Sequence, residues 1–453
     1  MLDKPDPQPE RAAQGVPTAA KVSLFTATTI AVADMIGIGV FTSLGFQVLG
    51  LNTGFPLLLL WVIGGIVALC GALSYAELAA AFPRSGGEYN FLTRIYHPAL
   101  GFLAGWVSAT VGFAAPVALA AVALGSYANG VVPGLPPLVT GLAVVWLVTI
   151  VHLRGIEQGS LFQTLSTLVK VGLILAFIVV GFTLGEPQPI SFAPASGDLS
   201  QIFGAAFGIS LVFVMFSYSG WNAATYIASE VDDPARTLPK ALMFGTLIVL
   251  VLYVLLNAVF LYTTPIAKLA GQLEVGLVAG QAIFGEQGGK LAAALICIGL
   301  VSSISAMMWI GPRVTMVMGE DFPLLRLFSR KSASGVPHTA ILFQCAMVHV
   351  LVLTQSFEAI LDFIQVSLLA CSFMVVAGVI VLRFTQPDLP RPYRTWGYPL
   401  TPAIFLAVTA FMMYYLFAER PGHALAGFGW MLLGLALYAV SARQTLSRAT
   451  AER

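Results

Sequence analysis

Apolar residues gather along this chain in runs of about twenty, the length a helix needs to cross about 30 Å of hydrocarbon. Twelve such runs predict twelve membrane spans: 24–50, 55–82, 99–129, 137–153, 159–184, 200–229, 241–263, 291–312, 339–355, 359–382, 401–418 and 425–442. Within the interval 264–290, the apolar piece Val275–Phe284 is too short to span and is predicted as a helix on the outer surface. The longest polar stretches are the two tails and short loops, so no extramembrane catalytic or DNA-binding module is expected.

Two of the runs are interrupted midway. The first breaks at Gly37-Ile38-Gly39 and the sixth at Ser217-Tyr218-Ser219-Gly220. Glycine in a helix interior costs about 1 kcal/mol relative to alanine, so both runs are predicted to unwind. Interrupted spans five apart mark an inverted five-plus-five repeat with a substrate site at the midplane. At the first break, freed amides and the positive end of the second half-helix suit a carboxylate; close packing by small residues is the competing reading. At the second, freed carbonyls suit an ammonium group, Phe216 is placed as an aromatic gate, and Asn222 as a brace for the unwound segment. An aromatic cluster with a glycine kink is the plain alternative.

Composition reinforces the pattern. The chain is 58% hydrophobic and 9% charged, against about 25% charged in soluble proteins. So few charges cannot cover a soluble surface, whereas lipid-facing positions must be apolar. The net charge of +1 offers no stripe for nucleic acid. Cys70, Cys297, Cys345 and Cys371 sit within apolar runs without metal-ligand spacing and read as packing residues. The segment Met1–Lys21 lacks the apolar core and cleavage site of a signal peptide, so the first run is expected to remain as a span.

Charge sets the orientation. With the N-terminus cytoplasmic, 18 of the 22 Lys and Arg residues fall on internal segments, and Lys268, Lys290 and Arg420 fall outside. That asymmetry supports a cytoplasmic membrane protein with both termini inside. The remaining cation, Lys170, lies near mid-bilayer in the fifth run, where an ionisable group is costly and marks a functional site; a snorkelling lysine is the alternative. Asp34 is the other midplane charge, able to pair with Lys170, take part in proton transfer, or serve as a hydrogen-bonded packing carboxyl. Ser302 and Ser303 in the eighth run offer oxygens to a cation or bond back to the preceding turn. Glu77 closes the second run and reads as part of an internal gate. No metal cluster, HExxH, GxSxG or paired catalytic carboxylates occur, so an enzyme is not expected. No feature demands a cofactor or a partner subunit.

Several segments together resemble the amino acid–polyamine–organocation family, in its L-type-like bacterial branch: Met35-Ile36-Gly37-Ile38-Gly39-Val40-Phe41; Tyr75-Ala76-Glu77-Leu78 with Phe82-Pro83-Arg84-Ser85-Gly86-Gly87-Glu88-Tyr89; Phe216-Ser217-Tyr218-Ser219-Gly220-Trp221-Asn222; Glu230-Val231-Asp232-Asp233-Pro234; and Arg391-Pro392-Tyr393-Arg394 with Gly397-Tyr398-Pro399. The resemblance implies an all-α fold of ten helices in two inverted repeats, about 22–184 and 200–384, plus two peripheral helices. Residues 1–21 and 444–453 would be cytoplasmic tails, 385–400 a cytoplasmic loop and 401–443 the last two helices. It implies alternating access to one site, with Ile36, Gly37, Ile38, Gly39, Phe216, Ser217, Ser219 and Gly220 holding an amino acid and Lys170 replacing a sodium ion. Asp34 departs from the family pattern, which has a small or neutral polar residue there, and points to H+ coupling. Ile38 likewise replaces a smaller residue. The expected activity is Na+-independent transport of neutral amino acids by H+ symport or exchange. A carrier of polyamines or cationic amino acids, or a non-transporting sensor or subunit, is the alternative.

Overall fold

The computed structural model describes residues 22–154, 159–332, 335–354 and 356–451; the N-terminal tail lies outside them. Without water to bond a bare backbone, apolar runs must satisfy their own amides, and they do so as helices. The helices are α1 (Leu24–Met35), α2 (Gly39–Gln47), α3 (Gly54–Ala81), α4 (Glu88–Ile95), α5 (Pro98–Val107), α6 (Ala114–Val131), α7 (Pro137–Arg154), α8 (Gly159–Leu184), α9 (Asp198–Ile202), α10 (Ala205–Tyr218), α11 (Pro234–Thr263), α12 (Ile266–Leu269), α13 (Val275–Asp321), α14 (His338–Thr354), α15 (Phe357–Thr385), α16 (Leu400–Glu419) and α17 (Pro421–Ala451). A π-helical turn, Ser108–Gly112, joins α5 to α6, and 3-10 turns cover Ala223–Glu230 and Pro323–Ser329. Among the described residues, eleven stretches are long and apolar enough to cross a membrane, and the run expected at 339–355 supplies a shorter apolar helix, His338–Leu353.

Several boundaries differ from the sequence reading. The surface helix expected at Val275–Phe284 forms, but it continues into the eighth span through a bend at Gly285, so both belong to α13. The loop after α3 carries an unexpected helix, α4. The predicted tail 444–453 continues α17 in helical form to Ala451, because residues 443–451 contain no glycine or proline to stop it.

α3 packs along α11, and α13 packs along α6 and α8. The two interrupted spans lie within these helices and are tied together at one end: Val22 N–H donates to Glu230 O at 2.9 Å and Asp232 N–H to Val22 O at 3.0 Å. The start of α1 is thereby clipped to the segment that follows the second break.

Candidate functional site

α1 stops at Met35 and α2 starts at Gly39. Gly37 N–H abandons the helical ladder and turns back to Met35 O at 2.7 Å. The last carbonyls of α1 are met by side chains. Lys170 Nζ, on α8, donates to Ala33 O and Ile36 O, each at 2.8 Å, and to Ser303 Oγ of α13 at 3.1 Å. Ser303 Oγ also reaches Ile36 O at 3.1 Å, and Tyr253 OH donates to Met35 O at 2.6 Å. The ammonium thus sits at the negative end of α1 and joins α8 to the broken first span through two backbone oxygens and to α13 through the Ser303 hydroxyl. Lys170 is 3% exposed, so this is not a snorkelling side chain.

The second break faces the first. α10 ends at Tyr218, and Gly220 takes φ +100°, a conformation that favours glycine. A Cβ at Gly220 would stand 2.8 Å from the backbone carbon of Asp34, and a Cβ at Gly39 would stand 2.6 Å from Ser217 Cα. The two broken helices therefore touch at both ends of their breaks. Beyond the second contact, Ser43 Oγ lies 3.0 Å from Ser217 Oγ, which donates to Phe213 O at 2.8 Å, and α2 seals against α10.

A cavity of about 90 Å³ opens beside the breaks. Asp34, Ser219, Gly220 and Asn222 line it, joined by Glu88, Ser108, Gln365 and Ser372. Phe113, Met215, Trp221, Met307 and Phe405 give it apolar walls. Asp34 is buried, and its Oδ1 has no hydrogen-bond partner. Asp34 and Lys170, whose pairing was one of the readings left open, form no ion pair: Lys170 spends its three donors on two backbone carbonyls and Ser303. Glu88 accepts from Tyr75 OH at 2.6 Å and Ser372 Oγ at 3.2 Å. Burial pushes the Glu88 carboxyl above the usual carboxylate range, and those two bonds pull it back.

The other sequence candidates lie elsewhere. Ile36, Gly37, Ile38, Gly39, Phe216 and Ser217 are not in the cavity wall. Phe216 is buried, and its neighbour Met215 faces the cavity instead; adjacent helical residues cannot share a face. Phe113, Trp221 and Phe405 supply the aromatic wall. Asn222 Nδ2 reaches across to Glu88 Oε1 at 3.5 Å, which ties the segment after the second break to α4. Glu77 belongs to a separate cluster, where Arg383 Nη2 at 2.7 Å, Arg391 Nε at 3.3 Å and Thr395 N–H at 2.7 Å converge on its carboxylate. Ser302 is buried in α13 and, like Ser303, is not in the cavity wall.

Sequence reasoning missed Glu88, Ser108, Gln365 and Ser372. Gln365 carried a signal, being a lone amide in a long apolar run; its Nε2 donates to Val212 O of α10 at 2.9 Å.

Comparison with known proteins identifies the family. A family model described as Amino acid permease matches residues 22–441. The chain is similar to the serine/threonine exchanger SteT of Bacillus subtilis (strain 168), 27% identical over 400 residues covering 87% of this chain and 90% of that protein. It is similar to the b(0,+)-type amino acid transporter 1 of Mus musculus, 26% identical over 404 residues (87% and 82% of the two chains). It is also similar to the large neutral amino acids transporter small subunit 2 of Mus musculus, 24% identical over 446 residues (96% and 83%). With a match that covers nearly all of its described helices, the chain belongs to the amino acid permease family and is a multi-pass membrane transporter, not an enzyme.

Proposed function

We propose that the protein carries small neutral amino acids across a cell membrane without sodium, by alternating access through the gap between its two broken helices. The observation that carries this reading is the pair of facing breaks with opposite electrical ends. The amides that open α2, at Gly39 and Val40, precede its first helical bond (Phe41 N–H to Ile38 O at 2.9 Å) and present a positive end to a carboxylate when α2 parts from α10. The last carbonyls of α10 and the unpartnered Asp34 carboxyl present a negative end to an ammonium group. A zwitterion satisfies both. The cavity is small, about 90 Å³, which favours compact substrates such as alanine or serine.

Sodium independence rests on Lys170. Ala33 O, Ile36 O and Ser303 Oγ form an oxygen set of the kind that hard cations take, and a tethered ammonium fills it. Exchange is the transport mode put forward, in keeping with the relative named an exchanger. Proton symport is the second reading, favoured by the buried, unpartnered Asp34. Phe216 acts as the gate if α10 turns about Gly220 and brings the ring from its buried seat to the cavity mouth. The orientation set by Lys and Arg puts both termini in the cytoplasm. One relative is named as a small subunit; this chain is proposed to transport without a partner.

Labelled alanine, serine and threonine uptake into proteoliposomes tests the proposal. Uptake only with internal substrate supports exchange, and uptake driven by a pH gradient supports symport. Absence of uptake for every amino acid under both conditions would defeat the reading in favour of a sensor or subunit.

A further inference from the structure

A second cavity, of about 210 Å³, lies between the later part of α13, the end of α7 and residues 335–337 ahead of α14. Two cations, Arg313 and Lys331, line it with His152 and the carboxylate of Glu230. The Arg313 guanidinium lies 3.6 Å over the Trp309 ring, and its Nε stands 3.4 Å from Glu230 Oε1. Its Nη1 is buried without a hydrogen-bond partner. Lys331 Nζ is held loosely, 3.6 Å from Glu320 Oε1. His152 Nε2 is engaged with Ser305 Oγ at 3.0 Å.

A guanidinium offers five N–H donors in a rigid fork that matches planar or tetrahedral oxyanions. Arg313 and Lys331 both line the same space of about 210 Å³, large enough for a phosphate group with water, and their two positive charges suit an oxyanion there. Glu230 occupies only one edge of the fork. Glu230 also ends the 3-10 segment whose Tyr226 lines the cavity beside the breaks, so whatever competes for Arg313 bears on that segment.

We propose that this cavity binds a phosphate-type oxyanion, either orthophosphate or a lipid phosphate headgroup, through Arg313 and Lys331, and that occupancy loosens the Arg313–Glu230 strap. The anion draws the guanidinium away from Glu230, frees the end of the second broken helix and speeds its movement.

The test uses the full-length protein in two settings. In nanodiscs of phosphatidylcholine alone, inorganic phosphate is titrated by calorimetry. In phosphate-free buffer, native mass spectrometry measures retention of phosphatidylglycerol against phosphatidylcholine. Saturable phosphate binding identifies the free anion, and selective phosphatidylglycerol retention identifies the headgroup; either supports the site. Arg313→Gln is expected to weaken binding about tenfold or more, the worth of one charge-assisted contact. Lys331→Gln, at a half-exposed position, does the same without touching the core. Glu230→Gln removes the competitor and is expected to tighten binding. No binding in either setting, or binding unchanged in Lys331→Gln and not tightened in Glu230→Gln, overturns the proposal.

Discussion

Replacing Lys170 with methionine keeps the stem and removes the ammonium, so it isolates the charge that joins α8 to α1 and α13. Three contacts vanish. Their losses are unequal. Ile36 O keeps the Ser303 hydroxyl within reach as a donor at 3.1 Å, the single proton that Gly299 O, 3.2 Å away, otherwise takes. Ala33 O has no replacement, because Gly37 N–H, the amide that would meet it in an unbroken helix, is committed to Met35 O. One buried carbonyl left unmade costs about 1–3 kcal/mol. Removing the desolvated ammonium returns part of that, so the folded protein is expected to survive with a modest loss of melting temperature. Transport is expected to fall much further, since the end of α1 loses its anchor at the break. The assay pairs thermal denaturation in detergent with substrate exchange in proteoliposomes. Loss of exchange by about 100-fold with a melting loss worth no more than about 3 kcal/mol supports the reasoning. Wild-type exchange in Lys170→Met refutes it, and a matched collapse of both would reduce Lys170 to a structural residue. In Lys170→Ala the same oxygens face an empty space, and added sodium is expected to raise residual exchange where it leaves wild type unchanged.

Four further changes test other parts of the site. Asp34→Asn is isosteric and uncharged; if the carboxylate receives the ammonium group, the Michaelis constant rises about 10–100-fold, the worth of a charge-assisted bond, and the pH dependence of exchange flattens. An identical pH profile and affinity would remove Asp34 from substrate and proton handling. Gly39→Ala sets a Cβ 2.6 Å from Ser217 Cα, a backbone clash that must push α2 from α10; exchange is expected to fail while insertion persists, and unaltered kinetics would show that the contact is not maintained through the cycle. Glu77→Gln leaves Arg383 and the buried Arg391 without their carboxylate, at a cost of about 3–5 kcal/mol, read as reduced melting temperature and surface yield. Phe216→Ala empties a buried seat, and the gate proposal adds faster substrate release measured by stopped flow; unchanged release would confine Phe216 to packing.

The breaks were legible because their signal is local. Gly37-Ile38-Gly39 and Ser219-Gly220 declare weak helix within otherwise uniform apolar runs, and a lone Lys170 at mid-bilayer demands a partner. The partner itself was only half legible: Asp34 was the other charge at midplane depth, but the carbonyls of Ala33 and Ile36 won, because a broken helix end offers oxygens that sequence does not display. Glu88 was hidden for a different reason. It follows Pro83 and two glycines and reads as loop, yet α4 carries it inward against Tyr75, Ser372 and Asn222. Ser108 reaches the cavity from a π-turn, which shifts the register of every following residue and defeats a count by 3.6. Phe216 lies outside the cavity wall in this structure, since the break fixes where α10 ends but not which way its last turn faces.

The central claim is that the space between the two breaks opens alternately to each side of the membrane. A Ser219→Cys variant in a background free of the four native cysteines, placed in sealed and uniformly oriented proteoliposomes, reports this directly through a membrane-impermeant thiol reagent. The account predicts labelling from outside and, with reagent trapped inside, from within, and that bound substrate slows both. Labelling from one side alone, under every substrate condition, would contradict it.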